Sequence, residues 1–244
     1  MNVSLYREMY EQEDTHWWFR GRRMIILDTL QRFCSPPRGT LLDVGLGTGR
    51  NAREFLERGF SVEGLEFSPE AIAFTRTTLP DLPIIKDLFP SPLVPQNKYA
   101  VLTMLDVLEH IDDDRAALRA AYNALTPGGA LVITVPAFQF LWTGHDALAH
   151  HKRRYRRSEL REKIQKSGFE LEFISYFNFF LFLPIVVVRL LSLVFHRKST
   201  TSDFSRTPSF LNSFFAAVFG AERFLLRHTV LPFGVSIIAV AKKP

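Results

Sequence analysis

Three glycines follow a short apolar run, and a carboxylate stands just before them. The run reads LLDVGLGTG from Leu41 to Gly49, with Asp43 two residues before the first glycine. Glycines in this alternation let a backbone turn tightly and approach a ligand closely. Glu66 ends the next apolar run about 20 residues further on, where a carboxylate can accept hydrogen bonds from ribose hydroxyls. This spacing predicts a site for a nucleotide-type cofactor.

The same stretch resembles the first motif of the class I S-adenosylmethionine (SAM) dependent methyltransferases, and later motifs follow in that family's order. FSPEA after Glu66 is similar to its strand-to-helix step, and IIKDL ends at Leu88. YAVLTMLDVLEHI, from Tyr99 to Ile111, resembles the fourth strand of the family. LTPGGALVITVP, from Leu125 to Pro136, resembles its helix-turn-fifth-strand signature. The resemblance implies that SAM is the cofactor.

This resemblance also implies which residues contact the cofactor. Asp43 can reach a cationic ligand at the strand tip, and the family places an acidic residue such as Asp87 against the adenine amine. The implied cofactor-binding residues are Asp43, Gly45, Gly47, Gly49, Glu66, Phe67, Asp87, Leu88 and Asp106. Dinucleotide-binding turns do not require Asp43, which argues against a nicotinamide oxidoreductase.

Three histidines are candidate catalytic bases. Methyl transfer needs in-line positioning, exclusion of water and, for a hydroxyl acceptor, removal of a proton. His110 closes the LDVLEH motif, where a structural histidine beside the methionine moiety is the favoured alternative. His145 and His151 follow the predicted fifth strand, where the fold builds its acceptor pocket. We therefore expect O-methylation with His145 or His151 as the base.

The segment that carries these two histidines also offers substrate contacts. Arg153 and Arg154 can hold a phosphate or carboxylate through forked hydrogen bonds. The candidate substrate-binding residues are Trp17, Trp18, Trp142, Asp146, Arg153, Arg154 and Tyr155. The segment is similar to a bacterial subgroup of these methyltransferases that is placed with envelope polysaccharide or lipid biosynthesis. Ala149 and His150 stand where that subgroup is expected to have a glycine.

Metal-ligating residue types also occur in this segment. His145, Asp146, His150 and His151 fit a metal site by residue type alone, but their spacing defines no geometry. The sequence therefore predicts no metal.

The aromatic triplet of Trp17, Trp18 and Phe19 lies upstream of the first strand. It can form a lid over SAM and the acceptor, anchor the chain at a membrane interface, or fasten the N-terminal helix to the core. A desolvated transfer site needs a cover, so the lid is the preferred interpretation.

Short apolar runs alternate with helical patterns along most of the chain. This alternation predicts an α/β fold, a Rossmann-like seven-stranded and mostly parallel sheet with helices on both faces. The predicted strands are Thr40 to Val44, Ser61 to Leu65, Leu82 to Lys86, Tyr99 to Leu105, Ala130 to Val135, Phe169 to Phe177 and Val235 to Ala241. The family resemblance implies that the last strand inserts antiparallel beside the sixth. The predicted divisions are a lid and linker (1–39), the SAM-binding core (40–177), an apolar helical insertion (178–234) and the last strand (235–244).

The insertion contains two apolar stretches, Phe177 to Phe195 and Phe210 to Leu226. The first is nearly long enough to span a bilayer. A full hairpin would carry the basic connection from His196 to Pro208 across the membrane, against the positive-inside tendency. We therefore expect monotopic insertion. Packing on the domain, a homodimer interface and true spanning are the alternatives.

The charge and its distribution along the sequence limit the classes of binding partner. The net charge is +5, with a pI near 9.5, and the basic residues gather at Lys152 to Arg157 and Arg20 to Arg23 instead of forming a nucleic-acid stripe. The Lys152 to Arg157 cluster fits an anionic lipid surface and equally a solvated charged face of the helix that begins near Ser158, and neither cluster indicates nucleic acid. A lone cysteine, Cys34, excludes an intrachain disulfide. With no apolar signal segment at the N-terminus, the expected location is the cytoplasmic face of a membrane.

Together these features predict a SAM-dependent methyltransferase that O-methylates a hydrophobic or lipid-linked acceptor at the membrane. Two alternatives stay open at this point: a soluble small-molecule methyltransferase that dimerises through the hairpin, and a non-catalytic SAM-binding scaffold for a partner enzyme.

Overall fold

The structure is a computed structural model that describes residues 3–34, 39–194 and 208–244. Its helices are α1 (Val3–Gln12), α2 (Trp17–Cys34), α3 (Arg50–Glu57), α4 (Pro69–Thr78), α5 (Asp114–Ala124), α6 (Gly144–Leu148), α7 (Arg157–Lys166), α8 (Phe182–Val194) and α9 (Ser209–Leu226). Its strands are β1 (Thr40–Val44), β2 (Ser61–Leu65), β3 (Ile84–Ile85), β4 (Tyr99–Leu105), β5 (Leu125–Pro136), β6 (Glu170–Phe177) and β7 (Ser236–Lys242). Of the polar connection predicted from His196 to Pro208, residues 196–207 lie outside the described residues.

The seven strands form one sheet in the order β3-β2-β1-β4-β5-β7-β6. All neighbours pair in parallel except β7, which runs antiparallel to both β5 and β6. The predicted Rossmann-like sheet is therefore confirmed, including the antiparallel last strand. Strand order reverses between β1 and β4, and ligands of open α/β sheets bind outside the carboxyl ends of the strands at such a point.

Helices cover both faces of the sheet. One apolar core includes Leu118 of α5 and Ile164 of α7, and the other includes Ile26 of α2 and Phe55 of α3. Successive side chains of a strand point to opposite faces, so Leu41 of β1 lies in one core and its neighbour in the other. This two-sided burial explains why the strands read as nearly continuous apolar runs.

The insertion between β6 and β7 forms α8 and α9. Helix α9 packs along α2, where a Cβ added to Gly21 would lie 2.4 Å from the Phe219 ring. The buried carboxylate of Glu222 accepts hydrogen bonds from the backbone N–H groups of Phe179 (2.8 Å) and Phe180 (3.0 Å). These contacts fix one face of α9 to α2 and to the segment that joins β6 to α8.

The opposite face of the insertion is apolar and open to solvent. Phe210 and Phe214 are 73% and 59% exposed on α9, and Val188 is 66% exposed on α8. Within the described residues, neither helix combines the length and hydrophobicity that crossing a bilayer requires. The insertion thus joins a packed inner face to an apolar outer face.

Candidate functional site

The glycine turn after β1 sits directly against the segment that follows β4. Gly45 has a φ of 72°, and a Cβ there would lie 2.4 Å from Cγ2 of Val107. At Gly47, with a φ of 59°, an added Cβ would meet only the Gly45 carbonyl oxygen, at 3.9 Å. One glycine therefore allows close packing with the β4 end, and the other leaves open space for a ligand.

Glu66 holds the glycine turn to the end of β2. One carboxylate oxygen accepts a hydrogen bond from Gly47 N (2.9 Å), and the other accepts from Phe67 N (3.0 Å) and Ser68 N (2.9 Å). Burial raises the pKa of Glu66, while these backbone hydrogen bonds oppose the shift. A carboxylate has about four lone-pair sites, so capacity remains for a ribose hydroxyl.

Asp43 places a second carboxylate at the tip of β1. It is 2% exposed, and Thr103 donates a hydrogen bond of 2.6 Å to its Oδ1. Burial raises the pKa of Asp43 to about 7, against the lowering effects of the Thr103 hydrogen bond and the Arg22 charge. A cationic ligand at this tip would favour the ionised carboxylate.

Two apolar side chains are exposed to solvent at the ends of the neighbouring strands. Phe67 after β2 and Leu88 after β3 are 48% and 61% exposed. Asp87 accepts hydrogen bonds from Leu88 N (2.8 Å) and the Ser91 hydroxyl (2.5 Å), so it also orders its own loop. The donor set fits SAM: carboxylates for its cationic and ribose groups, a glycine turn for close approach, and apolar side chains for its base.

Helix α1 lies across this edge of the sheet. Tyr10 stacks on Phe74 of α4 with ring centroids 4.7 Å apart, and the Thr48 hydroxyl donates a hydrogen bond to the Glu13 carboxylate. Burial raises the pKa of Glu13 to about 7, although the Thr48 hydrogen bond lowers it. The N-terminal segment therefore contacts the glycine turn directly.

The two neighbouring tryptophans have different surroundings. The backbone N–H of Trp17 donates to the side-chain oxygen of Asn212 (3.0 Å), and the Trp17 ring lies 6.1 Å from that of Phe219, so Trp17 fastens α2 to α9. The Trp18 ring instead lies beside Arg22, whose Cζ is 5.2 Å from the centroid of the ring. Of the two, Trp18 is the one associated with the strand tips, through Arg22.

Arg22 is a site residue that the sequence did not single out. Its guanidinium forms a 2.9 Å ion pair with Asp106 and donates a 3.0 Å hydrogen bond to Thr134. Thr134 in turn donates to Asp106 (2.9 Å). Asp106, expected to contact the cofactor, is thus held by α2 and β5. The RGRR sequence signals a basic helix but not which arginine turns inward.

A histidine and carboxylate cluster follows directly after β4. The rings of His110 and His151 lie 4.7 Å apart, and Nε2 of His151 is 3.9 Å from a carboxylate oxygen of Glu109. Glu109 is 0% exposed, and neither of its carboxylate oxygens has a hydrogen-bond partner among the described residues. Burial and the nearby His151 charge lower the pKa of His110 to about 4, so its imidazole is neutral at pH 7.

Asp146 fixes the orientation of His151. One oxygen pairs with His151 Nδ1 (2.8 Å), and both oxygens accept from the Arg154 guanidinium (2.8 Å each). The backbone N–H of Thr143 donates to the same carboxylate (2.7 Å). These hydrogen bonds and charges, the pair with His151 first, hold the pKa of Asp146 far below its usual range despite burial.

Three of the residues expected to contact the substrate form hydrogen bonds or ion pairs with carboxylates of the protein. Arg154 is buried against Asp146, and Arg153 pairs with Asp114 (3.0 Å). Tyr155 is fully buried and donates a hydrogen bond to Asp114 (2.9 Å). The polar groups of these residues therefore contact carboxylates of the protein itself, and their expected contact with substrate stays a prediction.

The remaining candidates lie around α6. Trp142 is half-buried just before the helix, and the His145 ring on α6 is 6.3 Å from that of His151. His150 has a φ of 59°, in the left-handed region where glycine is favoured. The subgroup's expected glycine therefore corresponds to a real backbone requirement that this chain meets with a histidine.

Comparisons with known proteins agree with this geometry. A family model described as a methyltransferase domain matches residues 17–173. A protein of Mycolicibacterium smegmatis, named a probable S-adenosylmethionine-dependent methyltransferase, is 25% identical over 161 residues, covering 65% of this chain and 62% of the relative. A ubiquinone biosynthesis O-methyltransferase of Xanthomonas axonopodis is 25% identical over 161 residues, covering 57% of this chain and 66% of the relative. The chain thus spans less than two thirds of these relatives.

Solved structures share the fold. A methyltransferase solved in complex with the Haloferax volcanii Trm112 methyltransferase activator has a TM-score of 0.64 at 16% identity, covering 99% of this chain and 94% of its own. A Haemonchus contortus phosphoethanolamine N-methyltransferase 2, solved with S-adenosyl-L-methionine, has a TM-score of 0.59 at 16% identity, covering 98% and 60%. Since the family model covers more than half of the chain, and the turn, carboxylates and sheet order fit SAM, the chain belongs to the methyltransferase-domain family of class I SAM-dependent methyltransferases.

Proposed function

We propose that the protein O-methylates a hydrophobic or lipid-linked acceptor at the cytoplasmic face of a membrane. The observation that carries this proposal is an apolar surface that runs from the insertion to the acceptor side of the site. The Phe138 ring lies 6.0 Å from that of Phe182 at the start of α8, and Phe140 is 62% exposed. The Arg189 guanidinium of α8 donates to the Leu141 carbonyl. The helices thus adjoin the loop that precedes α6.

Charge near this surface favours an anionic lipid. Arg156 is exposed in the loop between α6 and α7, as is Lys152, whose ammonium group also pairs with Asp112 (3.1 Å). Each Lys or Arg near an anionic membrane contributes about 1 kcal/mol, so apolar insertion and basic contacts act together. An acceptor that resides in the membrane can then approach the site from the apolar surface.

The choice of oxygen as nucleophile is supported by the imidazoles on the acceptor side. SAM supplies an electrophilic methyl group when bound, and the chain has to orient the acceptor and remove its proton. His145 lies beside the His151 and Asp146 pair, so either imidazole is placed to take a hydroxyl proton. The name of the Xanthomonas relative, a ubiquinone biosynthesis O-methyltransferase, agrees with hydroxyl methylation of a hydrophobic acceptor.

A matched pair of histidine variants tests this assignment. In assays with membranes of the source organism, His145→Gln should keep wild-type SAM affinity and lower turnover by about 100-fold or more, the range that general-base catalysis contributes. The control, His228→Gln, changes an exposed histidine and should leave both unchanged. Equal turnover in the two variants would contradict the role of His145. SAM binding without turnover on any extract would favour the scaffold interpretation instead.

A further inference from the structure

We propose that Glu109, His110 and His151 form a binding site for a divalent transition-metal cation on the acceptor side of the SAM site. Each residue offers one ligand atom, and the three atoms lie within 4.8 Å of one another. The set of two imidazoles and one carboxylate is the ligand combination of three-coordinate protein sites that leave a position open for water or substrate.

Glu109 provides the strongest observation. Its side chain is 0% exposed, and within the described structure neither carboxylate oxygen accepts a hydrogen bond. An ionised carboxylate buried without a partner costs several kcal/mol, so burial raises the pKa of Glu109 well above its usual range, and the metal-free side chain keeps a proton that a bound cation would displace. Arg22 and Arg154 act on Glu109 only through their charges, because their guanidinium groups are paired with Asp106 and Asp146. A cation bound between Glu109 and the two imidazoles supplies the missing partner.

The supporting residues orient the ligands as metal sites require. His151 Nδ1 pairs with Asp146, which leaves Nε2 directed towards Glu109 at 3.9 Å. A carboxylate that holds the remote nitrogen of a ligating histidine is the usual outer contact in such sites. The Lys152 N–H also donates to the Glu109 carbonyl (2.8 Å), which ties the His151 loop to the end of β4.

The ligand atoms lie within 4.8 Å of one another and must approach further to coordinate one cation. Zinc ligands at about 2.1 Å from the metal stand roughly 3.4 Å apart in a tetrahedron. The distance from His151 Nε2 to the Glu109 oxygen is 3.9 Å, so small side-chain rotations are sufficient. This ligand set differs from the four residues that fit a metal site by residue type in the sequence. Of those four, Asp146 holds the remote nitrogen of His151 instead of binding the cation, and His150 is exposed.

The cation site lies beside the glycine turn that binds SAM, which gives the cation a role in methyl transfer. That role rests on the proposed O-methylation. Glu109 follows Val107, which packs on the Gly45 turn. A cation here lowers the pKa of a coordinating acceptor hydroxyl. The acceptor proton passes to His145, the oxygen lone pair bonds to the methyl carbon, and the carbon–sulfur bond breaks with its electrons on sulfur. With His110 and His151 as ligands, His145 is the remaining base.

Cation binding is tested without SAM or acceptor. Protein stripped with a chelator is titrated with Zn²⁺, Mn²⁺ and Co²⁺ by calorimetry, and the visible spectrum of the Co²⁺ form reports imidazole ligation. We expect one cation per chain, a weakening of about 100-fold or more in Glu109→Gln and His151→Gln, and wild-type affinity in the His228→Gln control. Absence of saturable binding, or equal affinity in all variants, would overturn the site.

A stability measurement separates a metal ligand from a merely structural residue. Because burial raises the pKa of Glu109, the metal-free carboxyl is neutral, so Glu109→Gln should change the Tm of the metal-free protein little, whereas added Zn²⁺ should raise the Tm of wild type alone. A lower Tm in the variant together with no Zn²⁺ response in wild type would overturn the proposal. Metal binding in a protein that methylates no extract would refute the proposed function and leave the metal site standing.

Discussion

Arg22 and Asp106 form an ion pair of 2.9 Å that joins helix α2 to the carboxyl end of β4. Both side chains are largely removed from solvent, at 8% and 24% exposure. Thr134 completes the contact by bonding to both partners. The pair therefore sets the position of α2 over the strand tips, where the glycine turn after β1 and the histidine cluster after β4 meet.

Removing the Arg22 side chain should loosen this cover. Breaking a buried pair from one side leaves the other charge without a partner, which costs about 3 kcal/mol. We expect Arg22→Ala to lower the free energy of unfolding by about that amount and to weaken SAM binding, as measured by denaturant titration and calorimetry. Arg20→Ala, in the same helix, is the matched control. Identical unfolding curves for the two variants would show that the Arg22–Asp106 ion pair does not hold α2 in place.

Replacing Glu66 should weaken SAM binding. Hydrogen bonds to a charged group contribute about 1.5–3 kcal/mol, so losing the ribose contact should raise the Kd of SAM at least tenfold. Glu66→Ala also releases the N–H groups of Gly47 and Ser68, so Glu66→Gln is measured alongside it. Glu63→Gln on the same strand serves as the control. Unchanged SAM affinity in both Glu66 variants would contradict the cofactor assignment.

Glu13 should make stability depend on pH. Its folded-state pKa is raised from 4.5 to about 7, chiefly by burial. As the pH rises from about 4.5 to about 7, the unfolded chain loses this proton first, so the free energy of unfolding falls across that window. Glu13→Gln should remove this part of the slope, whereas Glu11→Gln, at an exposed position of α1, should keep it. Parallel pH profiles for wild type and Glu13→Gln would refute the assignment.

The exposed face of the insertion should bind membranes. Burying one phenylalanine side chain contributes about 1.5–3 kcal/mol, so Phe210→Ser and Phe214→Ser should each weaken binding to anionic vesicles about tenfold or more. Leu93→Ser, at a side chain that is 62% exposed between β3 and β4, is the control. Sedimentation with vesicles measures the effect. Absence of vesicle binding, together with a dimer that the Phe210 change dissociates, would support the homodimer alternative.

Local patterns were sufficient to predict the sheet. Strands β1, β2 and β4 occupy the predicted residues, because each is a short apolar run bounded by turns. The glycine turn and Glu66 come together as predicted, since parallel neighbours place their carboxyl ends at one edge.

Contacts between remote segments were not predictable in this way. Arg22 and Thr134 are 112 residues apart, and which arginine of RGRR faces inward depends on how α2 packs on α9. The pairing of Arg154 with Asp146 depends on the path of the α6 loop, so an arginine that suits an anionic substrate is used inside the protein. Burial of Glu109 likewise arises from the fold and not from the LDVLEH pattern.

The central claim is tested most directly by transfer of a radiolabelled methyl group from SAM, with the purified protein and membranes of its source organism, followed by solvent partition. The account predicts label in the organic phase, in a product that mild base and acid treatment assigns to a methylated hydroxyl. Label confined to the aqueous phase would contradict a hydrophobic or lipid-linked acceptor.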